Sequence, residues 1–224
     1  RNQLRCLGAR PANEQRILRL WSQAKPQNSG SRPLESFMPA ALRQALPQLS
    51  EKLSTLLRLQ STHPAEDGSV RWLLALQDGQ TVETVGLPRD GVCVSSQVGC
   101  AVGCVFCMTG KEGLIRQVGS AEIVAQVAFA RLHRVVKKVV FMGMGEPAHN
   151  LDNVLEAIEV LGTVGNIGHK SLVFSTVGDS RVFERLPLGL VKPALALSLH
   201  STRADLRAEL LPRAPKMTPE ELVE

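Results

Sequence analysis

The chain has no tyrosine, and its aromatic residues make up only 4% of 224 positions. A surface that stacks bases on aromatic rings is therefore poorly supplied, and contact with a polyanion would fall mainly to Lys and Arg. No apolar run approaches the roughly 20 residues that a membrane-spanning helix needs. The start of the chain also lacks the pattern of a secretory leader. Cysteine is scarce: four of the five lie between positions 93 and 107, and Cys6 stands alone. That distribution speaks against the disulfide framework of a secreted domain and for a metal site in a reducing compartment. The expected setting is the cytoplasm, away from membranes.

The chain is 44% hydrophobic and 21% charged, which suits a protein with a buried core. Its net charge of +5 is unevenly spread. Residues 1–60 carry 10 Lys and Arg against 3 Asp and Glu, whereas residues 61–224 carry 16 against 18. A basic segment joined to a near-neutral body points to a nucleic acid partner. A solvated basic helical face accounts for the charge equally well.

The apolar spacing of "NEQRILRLWSQ" (13–23) predicts an amphipathic helix, and 38–60 predicts one or two more, broken at Pro47. Residues 1–62 are read as a small helical domain, with 61–69 as the boundary. "VRWLLAL" and "TVETVGL" flank Asp78-Gly79, a hairpin signal. After the cysteines the pattern alternates: helix at 120–133, strand at 137–145, helix at 151–162, strands at 170–178 and 193–200. Such alternation implies parallel strands joined by helical crossovers. The expected fold is α/β: residues 63–224 form a hairpin plus three βα units, which suit part of a (β/α) barrel or an incomplete sheet. At the other end, Thr218 and Glu221 spell a capping box, the opening of a helix. With Arg1 rather than Met at the start, this leads to the expectation of a longer parent protein.

Cys100, Cys104 and Cys107 are spaced CxxxCxxC. Three thiolates on one tight loop can hold three irons of a four-iron, four-sulfide (4Fe-4S) cluster and leave the fourth iron open. An open iron can take the amino and carboxylate groups of S-adenosylmethionine, whose reductive cleavage gives a deoxyadenosyl radical. Two other readings use Cys93 as a fourth ligand: a structural zinc site made of all four clustered cysteines and a ferredoxin-like cluster.

The spacing is the signature of the radical S-adenosylmethionine superfamily. "VETV", "CVSSQVGCAVGCVFCMTGKEG", "FMGMGEP", "STVG" and "SLH" also follow the order seen in the RlmN/Cfr family of RNA adenine methyltransferases, which the chain resembles from about residue 8 onward. The resemblance implies a partial barrel of the radical S-adenosylmethionine type, preceded by an RNA-binding accessory domain. It implies methylation of an adenine ring carbon, C2 before C8, in 23S ribosomal RNA, with transfer RNA a further candidate. The implied partners are that RNA and an electron donor such as flavodoxin, with the protein a monomer. By resemblance, Cys93 matches the cysteine that resolves a protein–RNA adduct and is left in a disulfide, and Glu83 the general base. Gly145, Glu146, Ser175, Ser198, Leu199 and His200 line the S-adenosylmethionine pocket. Read without the family, Cys93 is a buried free thiol, Glu83 faces solvent and His200 is an ordinary strand-end histidine. The family's methyl-carrying cysteine is expected beyond residue 224. A protein ending there is expected to fail at methyl transfer. The segment "STRADLRAELLPRAPK" after "SLH" matches the family only loosely. The competing functions are a radical enzyme with another substrate and a non-catalytic RNA-binding module with zinc.

Overall fold

The structure, a computed structural model, describes residues 2–218 and 221–222. Three helices come first: α1 (Asn2–Cys6), α2 (Pro11–Ser22) and α3 (Ala40–Ser54). They close around Leu4, Ile17, Met38, Leu42, Leu46 and Leu49, an apolar cluster of their own. Helix α3 runs through Pro47 instead of breaking there. Proline forfeits one backbone hydrogen bond, but Leu42, Leu46 and Leu49 keep one buried face on both sides of it.

Strand β1 (Leu57–Pro64) begins inside the segment expected to be helical and runs into the expected boundary. It pairs antiparallel with β2 (Val70–Leu76), which pairs with β3 (Thr81–Leu87) across the Asp78-Gly79 turn. The expected hairpin is thus present, with β1 added to its edge. Strand β4 (Gly91–Val94) pairs antiparallel with β3. A small two-stranded unit follows, β5 (Gln97–Gly99) with β6 (Leu114–Gln117), and then helix α4 (Ser120–His133). Three more strands alternate with helices: β7 (Lys138–Phe141), α5 (Leu151–Thr163), β8 (Leu172–Thr176), α6 (Ser180–Arg185) and β9 (Ala194–Leu197). Helix α7 (Ala204–Leu210) comes last. Thr218 and Glu221 exchange the two hydrogen bonds of a capping box, while residues 219–220 lie outside the described residues.

The main sheet has the order β1-β2-β3-β4-β7-β8-β9. Strand β4 is the seam: antiparallel to β3 on one side and parallel to β7 on the other. Strands β4, β7, β8 and β9 form the parallel arc, an α/β arrangement as the sequence implied. Val82, Val92, Val94, Val139, Phe141, Leu172 and Phe174 pack against Ile123 and Val127 of α4 and Val154, Ile158 and Leu161 of α5. Because side chains alternate along a strand, the residues between these face the other way. Cys93, Val140, Val173 and Ala194 stand in one register row on that second face.

Candidate functional site

The loop between β5 and β6 carries the three closely spaced cysteines. The Cys100 N–H donates to the Gly113 carbonyl at 2.9 Å and closes the loop's base. The Cys107 N–H donates to the Cys104 carbonyl at 3.0 Å, a turn that holds the two cysteines near each other. Gly103 has a φ of +64°, a left-handed conformation that glycine adopts at least cost, and it leaves room for the Arg213 guanidinium beside it. Burial pushes the Cys100 and Cys104 thiols up, and nearby negative charge pushes them further, led by Glu146 at Cys100 and by the neighbouring thiols at Cys104. Among the described residues, no three His, Cys, Asp or Glu side chains are gathered as ligands of a single metal ion. The loop presents Val105, Phe106 and Met108 to solvent at 64%, 56% and 72% exposure. An exposed apolar rim of this kind marks a surface that meets something else.

Gly145 and Glu146 follow β7. Gly145 has a φ of +98°, and a Cβ there would run into the Gln97 side chain. Gln97 instead accepts from the Glu146 N–H at 2.8 Å, so the glycine brings this turn onto β5. The Glu146 carboxylate accepts from Ala148 N–H and Val177 N–H, each at 3.1 Å. Burial pushes Glu146 up, and hydrogen bonds led by the Thr176 hydroxyl oppose that shift. With these three donors on its two oxygens, the carboxylate keeps acceptor capacity for a further ligand donor.

Ser175, at the end of β8, meets Ser198 just past β9, with hydroxyl oxygens 3.2 Å apart. The Ser201 N–H donates to the Leu199 carbonyl, a tight turn that leaves His200 at a φ of +64°. The His200 ring lies 4.8 Å from the Phe106 ring. The segment after β9 therefore touches the cysteine loop, although 94 positions separate the two rings in sequence.

Glu83 and Cys93 occupy the seam. Val85 pairs with Cys93, so Glu83, two residues before Val85, shares the second face with Cys93. The backbone of Glu83 is held on both sides. Its N–H donates to Met144 Sδ at 3.3 Å, and its carbonyl accepts from Ser95 Oγ at 2.5 Å. Ser95 Oγ in turn accepts from the Met144 N–H at 2.9 Å. Gln126, fully buried on α4, takes the Ser95 N–H and the Thr84 hydroxyl on its Oε1 and donates Nε2 to the Ser95 carbonyl. The Glu83 carboxylate pairs with Arg71 at 3.1 Å, both side chains roughly half exposed. Burial pushes the Cys93 thiol up to about 11, with a Met142 N–H hydrogen bond as the opposing influence.

The structure thus gathers the cysteine loop, Gly145, Glu146, Ser175 and Ser198 to His200 at the C-terminal ends of the parallel strands. Ligands of open α/β sheets sit at such ends. Glu83 adjoins the same edge through Met144. Ser95, Gln97 and Gln126 were not singled out in the sequence. The only signal for Ser95 and Gln97 was "SSQ" between Cys93 and Cys100, polar residues where a buried strand was ending, and Gln126 on its helix gave none.

Residues 94–224 match the family model described as the radical SAM superfamily. A probable RNA methyltransferase from Leptothrix cholodnii is 71% identical over the whole chain, which spans 65% of that relative. One from Methylibium petroleiphilum is 72% identical, and the chain spans 63% of it. The chain therefore covers just under two thirds of the length of these curated relatives. Among solved structures, a radical SAM methyltransferase from Sphaerobacter thermophilus superposes with a TM-score of 0.77 at 31% identity, over 99% of this chain and 67% of that one. The superfamily uses a 4Fe-4S cluster and S-adenosylmethionine. The donor set here suits both, with three soft thiols on one closed loop and a buried carboxylate with spare acceptor capacity at the neighbouring strand end. Sequence match, superposition and donor chemistry agree: this chain belongs to the radical SAM superfamily.

Proposed function

We propose that the whole protein methylates an adenine ring carbon of RNA, C2 before C8. Its substrate is 23S ribosomal RNA, with transfer RNA as a second candidate. The observation that carries this reading is the seam. A carboxylate, Glu83, and a thiol, Cys93, share one sheet face beside the cofactor end of the barrel. Cleaving S-adenosylmethionine requires neither group. Methylating a ring carbon through a covalent adduct requires both a base and a second cysteine. The relatives named as probable RNA methyltransferases support the RNA substrate.

In this reading Cys100, Cys104 and Cys107 hold the cluster, and Gly145 and Glu146 receive the methionine ammonium. Ser175, Ser198, Leu199 and His200 line the rest of the pocket. The bound cofactors supply radical chemistry. The protein's own residues then finish the reaction. Glu83 takes a proton from the ring carbon. Cys93, giving up its proton, attacks the sulfur that links the protein to the RNA; a disulfide forms, the carbon–sulfur bond breaks, and its electron pair stays on the RNA-borne carbon, which takes a proton to become the methyl group. Because burial pushes Cys93 up to about 11, it stays a thiol at neutral pH and is protected from stray oxidation until a base frees it. Residues 1–62 serve as the RNA-binding domain. They have their own core, and Arg5, Arg10, Arg19, Arg32 and Lys52 are exposed on them, positioned to meet phosphates. A flavodoxin-like donor, a monomeric state and a cytoplasmic location complete the proposal. No helix among the described residues is long and apolar enough to cross a membrane.

The test is Cys93→Ala in the full-length protein, purified from cells and digested with nuclease. A nucleotide-bearing peptide in its mass spectrum is the expected result. Normal turnover with no trapped RNA would remove Cys93 from the mechanism.

A further inference from the structure

The sheet face that carries Cys93 continues past the seam. Cys93 pairs with Val85, Val85 with Arg71 and Arg71 with His63, so one register row runs from the thiol to the edge strand β1. A second row runs from Glu83 through Leu73 to Ser61. Arg58, opposite Ala75, belongs to the same face. The reverse face is the covered one: Leu57, Trp72, Leu74, Leu76 and Val82 join the main core. On the open face Arg58, His63 and Arg71 are exposed, and Ser61, Leu73 and Glu83 are half-buried.

The chemistry of this face suits phosphate. Two guanidiniums stand against one carboxylate, Glu83. Ser61 Oγ and His63 Nε2, 2.9 Å apart, add polar groups. Glu66 and Asp67 lie beyond it in the β1–β2 turn, where Asp67 accepts from the Ser69 N–H. No Phe, Tyr or Trp stands on the open face, because Trp72 is the one such residue in β1 to β3 and is buried on the other side. Cations without a stacking ring grip a sugar–phosphate chain and leave the bases free.

One contact ties this face to the chemistry at the seam. Arg71 Nη1 donates to Glu83 Oε1 at 3.1 Å. The carboxylate proposed as base is thus engaged by a cation in the free protein. Both side chains stay roughly half exposed, within reach of a ligand.

We propose that the open face of β1 to β3 guides a nucleic acid backbone to the seam, with Arg71 as a positioning residue. Arg71 holds Glu83 in the free protein and turns to a phosphate when the strand binds, which leaves the carboxylate free. On the RNA reading above, on which this rests, the phosphate lies beside the target adenine. An exposed ion pair is weakly held, whereas a guanidinium and a phosphate form a bidentate, charge-assisted pair, so the exchange runs toward the phosphate.

The test is binding of an unmodified 23S ribosomal RNA transcript to the full-length protein at a series of NaCl concentrations. Arg71→Ala is expected to weaken binding about tenfold and to reduce the slope of log affinity against log salt by about one. Arg58→Ala should reduce the slope similarly, and Arg71→Lys should keep it. Glu83→Gln frees Arg71 in advance, so it should tighten binding about threefold, and only where Arg71 is present. Unchanged affinity and slope in Arg58→Ala and Arg71→Ala overturn the backbone track. Equal tightening by Glu83→Gln with and without Arg71 reports charge repulsion alone and overturns the exchange. Wild-type protein that binds no RNA overturns the RNA reading, and the track with it.

Discussion

The two sides of the β4 seam carry the proposed site residues in different ways. On the antiparallel side, Glu83 and Cys93 project from paired strands, and register sets their position. On the parallel side, the cysteines, Gly145, Glu146 and Ser198 to His200 sit on loops or turns beyond strand ends. Loops can wrap a cofactor from several directions, and a strand face fixes the distance between two side chains. A reaction that needs a cofactor and a separately placed base and nucleophile uses both. The halves are tied at Ser95, whose hydroxyl bridges the Glu83 carbonyl and the Met144 N–H.

If that division is right, damage to each half should have a distinct signature. The largest effect belongs to the loop half. Cys104→Ala is expected to abolish cluster binding and leave the helical circular dichroism unchanged, because the loop carries little of the core. Retained iron and sulfide at wild-type levels would contradict the ligand assignment.

The next effect belongs to the tie. Gln126→Leu strands the Thr84 hydroxyl and both backbone groups of Ser95 inside the protein, so it should cost about 3 kcal/mol or more in urea unfolding. Ser95→Ala is milder, at about 2 kcal/mol, but it frees the Glu83 backbone. In the full-length enzyme it should slow RNA methylation about tenfold or more while deoxyadenosine formation continues. Equal loss of both products would mean that Ser95 supports the cofactor side alone.

Much of this division was legible in the sequence. The cysteine spacing, the Asp78-Gly79 turn and the alternating strands and helices after residue 119 each have local causes, and the structure repeats them. Strand β1 was hidden because an edge strand exposed along most of its length shows no apolar alternation. Helix α3 passes Pro47 because three leucines hold its buried face, which outweighs one lost hydrogen bond. Gln126 was invisible for a different reason. Its partner, Ser95, lies 31 residues away, and a lone Gln on a helix reads as a solvated side chain until the sheet is assembled.

A smaller effect sharpens the strand half. With its thiol pushed up to about 11, Cys93 should resist iodoacetamide at pH 7 while exposed Cys6 reacts, and its labelling should rise about tenfold per pH unit toward pH 10. The same shift carries a stability cost with a definite sign. The folded state keeps the Cys93 proton above the pH at which an unfolded thiol loses it. Stability is therefore intact below about pH 9 and falls as pH rises toward 11. Peptide mapping after timed alkylation checks the first statement, and urea midpoints between pH 8 and 10 check the second. The smallest effect on stability is that of Arg71→Ala. Its pair with Glu83 is half exposed, so the stability change should stay below about 1 kcal/mol.

The most direct test of the whole account is a nucleoside analysis. Full-length protein, reconstituted anaerobically, is given a reductant, S-adenosylmethionine and unmodified 23S ribosomal RNA. Deoxyadenosine and RNA-borne 2-methyladenosine are expected together, with both lost in Cys104→Ala. Bound zinc with no cleavage of S-adenosylmethionine, or deoxyadenosine with no methylated adenine in any RNA, would contradict it.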